Sequence, residues 1–78
     1  MKYSATINLD STTDVKNFVN LVIKYSCDVD LISGRYVVDA KSILGVFSLD
    51  LTKPIVVEAE GEDAESLIAA LAPYIVEA

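Results

Sequence analysis

Histidine is absent from the 78 residues. The chain therefore has no imidazole, the side chain that serves as a nucleophile at neutral pH. Cysteine occurs once, at Cys27, which excludes an internal disulfide and makes a reducing, cytoplasmic compartment the simplest expectation. Cations are scarce: Lys2, Lys16, Lys24, Arg35, Lys41 and Lys53 are scattered among twelve acids, for a net charge of −6. Nucleic-acid affinity comes from grouped lysines and arginines, so a phosphate backbone would be repelled. The acidity favours solubility, or a docking face for a basic partner. No run of about 18 apolar residues is present, so no bilayer insertion is expected. The start, MKYSATINLD, alternates and is not read as a secretory signal. Linkers, repeats and low-complexity tracts are missing too.

What is present is ample apolar content, 53% of the chain. That suffices for one domain over residues 1–78 without staples. In KYSATINL, Tyr3, Ala5, Ile7 and Leu9 alternate with polar neighbours, the period of a half-buried strand. DSTTD then offers hydroxyls and carboxylates to the free N–H groups of a helix start. Val15, Phe18, Val19, Val22 and Ile23 follow as one helical stripe, expected to end near Tyr25 or Ser26. CDVDLIS and YVVDA flank a Gly34–Arg35 turn and read as a hairpin. A short helix is expected from Ser42 to about Leu49, then a strand PIVVEAE. Pro54 stands where a missing N–H is tolerated. EDAESLIAALAPYIVEA reads as a last helix with Leu67, Ile68, Leu71 and Ile75 inward, kinked or ended by Pro73. The order β-α-β-β-α-β-α predicts a two-layer α+β domain.

The segment KSILGVFSLDL, Lys41 to Leu51, resembles the Lys-Ser-Ile-Met-Gly-Val-Met-Ser-Leu segment of the bacterial phosphocarrier protein HPr. KYSCDVDL, Lys24 to Leu31, is similar to that family's link from first helix to second strand. IVVEAEGEDAESLIAAL, Ile55 to Leu71, matches its last strand, glycine turn and acidic helix start. The resemblance covers roughly residues 24–71. It implies an HPr-like open-faced sandwich: a four-stranded antiparallel sheet with three helices on one face.

The resemblance also implies phosphoryl relay, in which a histidine at the start of the first helix takes phosphate from enzyme I and passes it to sugar-transport proteins. The family motif there is Gly-Ile/Leu-His-Ala-Arg-Pro. The matching region, LDSTTDVKN, has no histidine, arginine or proline. Ser11, Thr12, Thr13 and Asp14 stand in the place of the relay site. A hydroxyl needs an activating base that the segment lacks, and Asp10 and Asp14 repel phosphate. The expected role of this stretch is helix capping. In this respect the chain is similar to the catabolite-repression HPr-like proteins, which lack the relay histidine and keep the serine of Lys-Ser-Ile.

Ser42 matches that serine, which a dedicated kinase phosphorylates in Gram-positive members. Capping and phosphorylation are compatible, because a phosphate at a helix start meets free N–H donors. Lys41 would add a weak counter-charge. Leu44 and Phe47 match the family's two exposed methionines, with Ile43 and Val46 expected toward the core. Gly45 costs about 1 kcal/mol against alanine in a helix, and either a close partner or packing within the domain accounts for it. Lys41, Leu44, Gly45 and Phe47 are the expected partner-binding residues. Cys27 reads as a small buried side chain, and Tyr3, Tyr25, Tyr36 and Tyr74 as core rims. Glu58, Glu60, Glu62 and Asp63 read as a solvated edge, not a metal site.

The expectation is a non-enzymatic HPr-like regulatory module without cofactor or metal. Its partners would be proteins: a transcription regulator, a serine kinase or a transport protein. Two alternatives stay open: a divergent phosphocarrier using another acceptor near residues 11–14, and a plain module that forms homodimers.

Overall fold

The computed structural model describes residues 2–76. The elements are β1 (Lys2–Ile7), α1 (Thr12–Ile23), β2 (Asp28–Ser33), β3 (Tyr36–Asp39), α2 (Ile43–Phe47), β4 (Ile55–Glu60) and α3 (Ala64–Ala70). A short 3₁₀ turn, Ala72–Tyr74, follows α3. The sheet order is β1-β4-β2-β3 with every neighbouring pair antiparallel, so β1 and β2 run parallel on either side of β4. This is the HPr-like α+β sandwich expected from the sequence.

Strict alternation divides the sheet into two faces. Ile7, Val29, Leu31, Ile55, Val57 and Ala59 point inward and are buried, as is Cys27 just before β2. They meet Val15, Phe18, Val19 and Val22 of α1, Val46 of α2, and Leu67 with Leu71 from the α3 end. Phe18 is fully buried and meets Tyr74 edge-to-face, with centroids 6.0 Å apart and planes at 88°. Such a pair adds roughly 0.5–1.5 kcal/mol beyond the area it buries.

Four expectations need correction. Ile23 lies outside the buried stripe and is 54% exposed. It is the last residue of α1, at the edge of the stripe past Val22, and the chain turns away after it through Lys24 N–H to Leu21 O and Tyr25 N–H to Val22 O. Tyr36 is no core rim: it begins β3 beside the hairpin turn and is 71% exposed. Ile43 is exposed with Leu44 and Phe47 rather than buried. A five-residue helix has room for one buried stripe, and Val46 and the following Leu49 fill it. Finally, the last helix is shorter than its periodicity suggests. Pro73 lies inside the 3₁₀ turn, and the chain then returns along β1. Asn8 N–H donates to Tyr74 O and Val76 N–H to Thr6 O, each at 2.9 Å. Residues 77–78 of that expected helix lie outside the described residues.

One long-range clamp fixes the α3 end of the sandwich. Asp63 precedes α3 but does not cap it with its side chain. Its carboxylate accepts from Ser26 N–H at 2.8 Å, Ser26 Oγ at 3.2 Å and Cys27 N–H at 2.9 Å. The Ser26 N–H bond leads in holding the Asp63 carboxyl below its ordinary value. Burial pushes the Cys27 thiol up, with the Asp63 carboxylate adding to it. The sign for Asp63 follows from its depressed folded value. The stabilisation is complete above the unfolded pKa near 4 and is lost as pH falls through the lower folded value. Asp63→Asn should therefore be less stable than the parent at neutral pH, and the gap should close in acid. Urea melts at pH 7 and at successively lower pH check this; a gap that does not change with pH contradicts it.

Candidate functional site

Two serine-capped helix starts carry the residues singled out from the sequence. At the first, Ser11 has extended backbone (φ −147°, ψ 166°) and its Oγ accepts from Asp14 N–H at 3.1 Å. Asp14 Oδ2 in turn accepts from Asp10 N–H at 3.1 Å. The serine hydroxyl thus satisfies a backbone donor that a folded helix start leaves free, and the carboxylate holds the residue before the cap. Ser11, Thr12 and Thr13 are exposed and Asp14 is half-buried. Among the described residues no lysine or arginine bonds to any of the four, and no carboxylate bonds to a hydroxyl here. The Ser11 hydroxyl is an acceptor in a cap, with no base to take its proton.

At the second start, Ser42 caps α2 (φ −99°, ψ 108°), and its Oγ accepts from Gly45 N–H at 3.2 Å. Ser42 N–H donates to Asp39 O, and Lys41 N–H to Asp39 Oδ1 at 2.9 Å, so β3 turns directly into the cap. Ser42 itself is exposed. The Lys41 ammonium does not serve it: Nζ donates to Tyr25 O at 2.9 Å, beyond the C-terminus of α1. A cation there complements the helix dipole and the free carbonyls. The expected counter-charge beside Ser42 is therefore engaged elsewhere. Nothing in the local spacing signals this, because Tyr25 is sixteen residues away.

Beyond Ser42 the helix presents Leu44 at 81% exposure and Phe47 at 40%, joined by Ile43 at 37%. Three exposed apolar side chains on so short an element form a contact surface. Gly45 faces the other way. A Cβ there would meet Val38 Cβ of β3 and Ser42 Oγ at 3.4 Å each, the near edge of ordinary contact. The neighbour that Gly45 lets approach is thus within the chain. Gly45→Ala keeps the Ser42 cap and gains helix propensity, so a net gain of up to about 1 kcal/mol is expected. Chemical denaturation measures it; a loss would mean that Val38 cannot accommodate the methyl.

No group of three or more metal-ligating side chains is assembled among the described residues. None of the described helices is long and apolar enough to cross a membrane.

A four-stranded antiparallel sheet in the order β1-β4-β2-β3, with its helices on one face, is the fold of small phosphocarrier proteins. The family profile of the PTS HPr component phosphorylation site matches residues 4–77, and the chain belongs to this HPr family of the phosphotransferase system. Its fold is similar to that of the phosphocarrier protein HPr from Bacillus anthracis. That match has TM-score 0.79 and 25% identity, over 96% of this chain and 98% of that one. It is also similar to HPr-C-His from Thermoanaerobacter tengcongensis, with TM-score 0.76 and 30% identity over 96% and 90% of the two chains. The Bacillus subtilis catabolite repression protein Crh, described as a domain-swapped dimer, aligns with TM-score 0.71 and 25% identity over 91% and 88%. No curated protein matches the chain. HPr family proteins are phosphocarriers rather than enzymes, and they work through protein partners.

Proposed function

We propose that this chain is an HPr-family protein that does not relay phosphate and acts as a protein-binding regulatory module through the α2 face. The observation that carries this reading is the contrast between its two serine caps. At the α1 start, Ser11 Oγ accepts from Asp14 N–H and Asp14 Oδ2 accepts from Asp10 N–H, and the sequence holds no histidine. An arriving phosphoryl group would meet carboxylates, with no cation bonded at this start among the described residues. At the α2 start, Ser42 stands exposed next to Leu44 and Phe47, its helix carries no acid, and the nearby Asp39 carboxylate is taken up by Lys41 N–H.

Phosphorylation of Ser42 is the regulatory step in this reading. The Ser42 Oγ attacks the γ-phosphorus of ATP, ADP leaves, and the hydroxyl proton passes to the kinase. The new dianion sits at a helix start, where free N–H groups and the dipole favour it. It adds charge beside the apolar triplet and so changes what that face binds. Lys41 supports the site by tying the turn before α2 to the end of α1. The similarity to Crh supports a role in catabolite repression in place of sugar transport. A second reading, homodimerisation, is favoured by the exposure of Leu44 and Phe47 and by the dimers formed by relatives.

Incubation with the serine kinase of this family and radiolabelled ATP tests the regulatory step. Acid-stable label that disappears in Ser42→Ala is the expected result. An unlabelled parent, or a Ser42→Ala variant that labels fully, overturns it.

A further inference from the structure

The face of the sheet turned away from the helices has its own organisation. The strand registers arrange its outward side chains in three rows across the strands. One row runs Thr6, Val56, Ile32, Val37. The next runs Ser4, Glu58, Asp30, Asp39, and the third Lys2, Glu60, Asp28. An apolar row thus lies directly against two acidic ones. Val37 is 62% exposed and Val56 37%, so no element among the described residues covers that part of the apolar row. Among the described residues, five carboxylates share these rows with one cation, Lys2 at the β1 edge. Lys41 adds a positive charge at the edge of a concavity of about 300 Å³ lined with Asp28, Asp30, Asp39 and Glu60, its ammonium held on Tyr25 O and bonded to none of these carboxylates, which still outnumber the cations.

The charge pattern works against the fold. Asp28 faces Glu60, and Asp30 faces both Glu58 and Asp39. Like charges placed opposite each other across strands are destabilising. Among the described residues the side chains of Asp28, Asp30, Glu58 and Glu60 make no hydrogen bond or ion pair. A cationic occupant would relieve this repulsion. A second copy of the chain would not, because the same face of that copy brings the same excess of carboxylates and no surplus cation to neutralise them. Nucleic acid and anionic membranes are repelled for the same reason.

We propose that this open face docks a basic amphipathic helix of a partner protein, laid across the strands. The dimensions match. Neighbouring strands are about 4.8 Å apart, and helix positions three apart rise about 4.5 Å. A helix with lysines or arginines along one side of an apolar stripe therefore keeps step with both kinds of row. Four strands span about 14 Å, roughly ten helical residues. This surface lies on the opposite layer from Ser42, Leu44 and Phe47, so both can be occupied together. The inference does not rest on the regulatory reading above.

The test titrates isotope-labelled protein with a synthetic leucine–lysine peptide of about fourteen residues, apolar on one face and basic on the other. Amide shifts are expected on β2, β3 and β4, around Asp30, Ile32, Val37, Val56 and Glu58. Asp30→Asn with Glu58→Gln should weaken binding about fivefold to tenfold. The charge-matched pair Asp10→Asn with Glu62→Gln should leave it unchanged. The first pair removes like-charge contacts, so its thermal midpoint should be no lower than the parent's. Absence of shifts at millimolar peptide overturns the proposal. So do shifts confined to Ile43, Leu44 and Phe47, equal weakening by both pairs, or binding of anionic vesicles or RNA in place of the peptide.

Discussion

Gly61→Ala is expected to remove about 3 kcal/mol or more of folding stability, lowering the thermal midpoint by at least roughly 12 °C. Two causes act together. Gly61 has φ +144°, a conformation that side-chain-bearing residues rarely adopt. A strained backbone of this kind costs about 1–3 kcal/mol. In addition, a Cβ built there would stand 2.8 Å from Cys27 Cβ and 3.0 Å from Cys27 Cα. The second contact is with backbone, at the start of a buried central strand, and cannot be relieved by a side-chain rotation. The whole fold is worth roughly 4–12 kcal/mol at this length, so a large share is at stake. The turn also leads into Asp63, whose carboxylate holds Ser26 and Cys27. Pushing Gly61 away from Cys27 pulls on that clamp as well. Adding Cys27→Ala should not rescue the variant, because alanine keeps both Cβ and Cα, so the two overlaps and the backbone strain persist. Chemical denaturation of both variants checks this; a loss below about 1 kcal/mol in Gly61→Ala would contradict it.

The same residues show how far the sequence carries. Local periodicities place the strands, because their inward side chains are buried as a set, and the stripe from Val15 to Val22 places α1. Both serine caps are legible, since a cap depends on the three residues that follow it. Ile23 and Ile43 are misread because a stripe does not reveal where a helix runs out of core to cover. The carboxylate of Asp63 and the ammonium of Lys41 are misread for a different reason. Their partners are 36 and 16 residues away, and each side chain has an equally sensible local role. Gly61 reads as a turn, and its close contact with Cys27 appears only once β4 lies beside β2. The acidic and apolar rows of the open face are likewise invisible along the chain. Each row takes one residue from each of three or four strands, so register has to be known first.

The proposed absence of phosphate relay predicts an all-or-none result. Histidine relays pass phosphate because an imidazole nitrogen attacks readily at neutral pH and holds the group in a labile N–P bond. Here the helix start offers three hydroxyls and one carboxylate. The Ser11 oxygen is occupied by Asp14 N–H, and Asp14 by Asp10 N–H. A hydroxyl phosphoester would not hand its phosphate on, and a carboxylate acceptor would first have to give up its bond to Asp10 N–H. Incubating the chain with enzyme I and labelled phosphoenolpyruvate, then quenching at high and low pH, measures this directly. The expected result is no acid-labile phosphoryl group anywhere on the chain. Label that sits between Ser11 and Asp14 and moves on to a sugar-transport protein would contradict it.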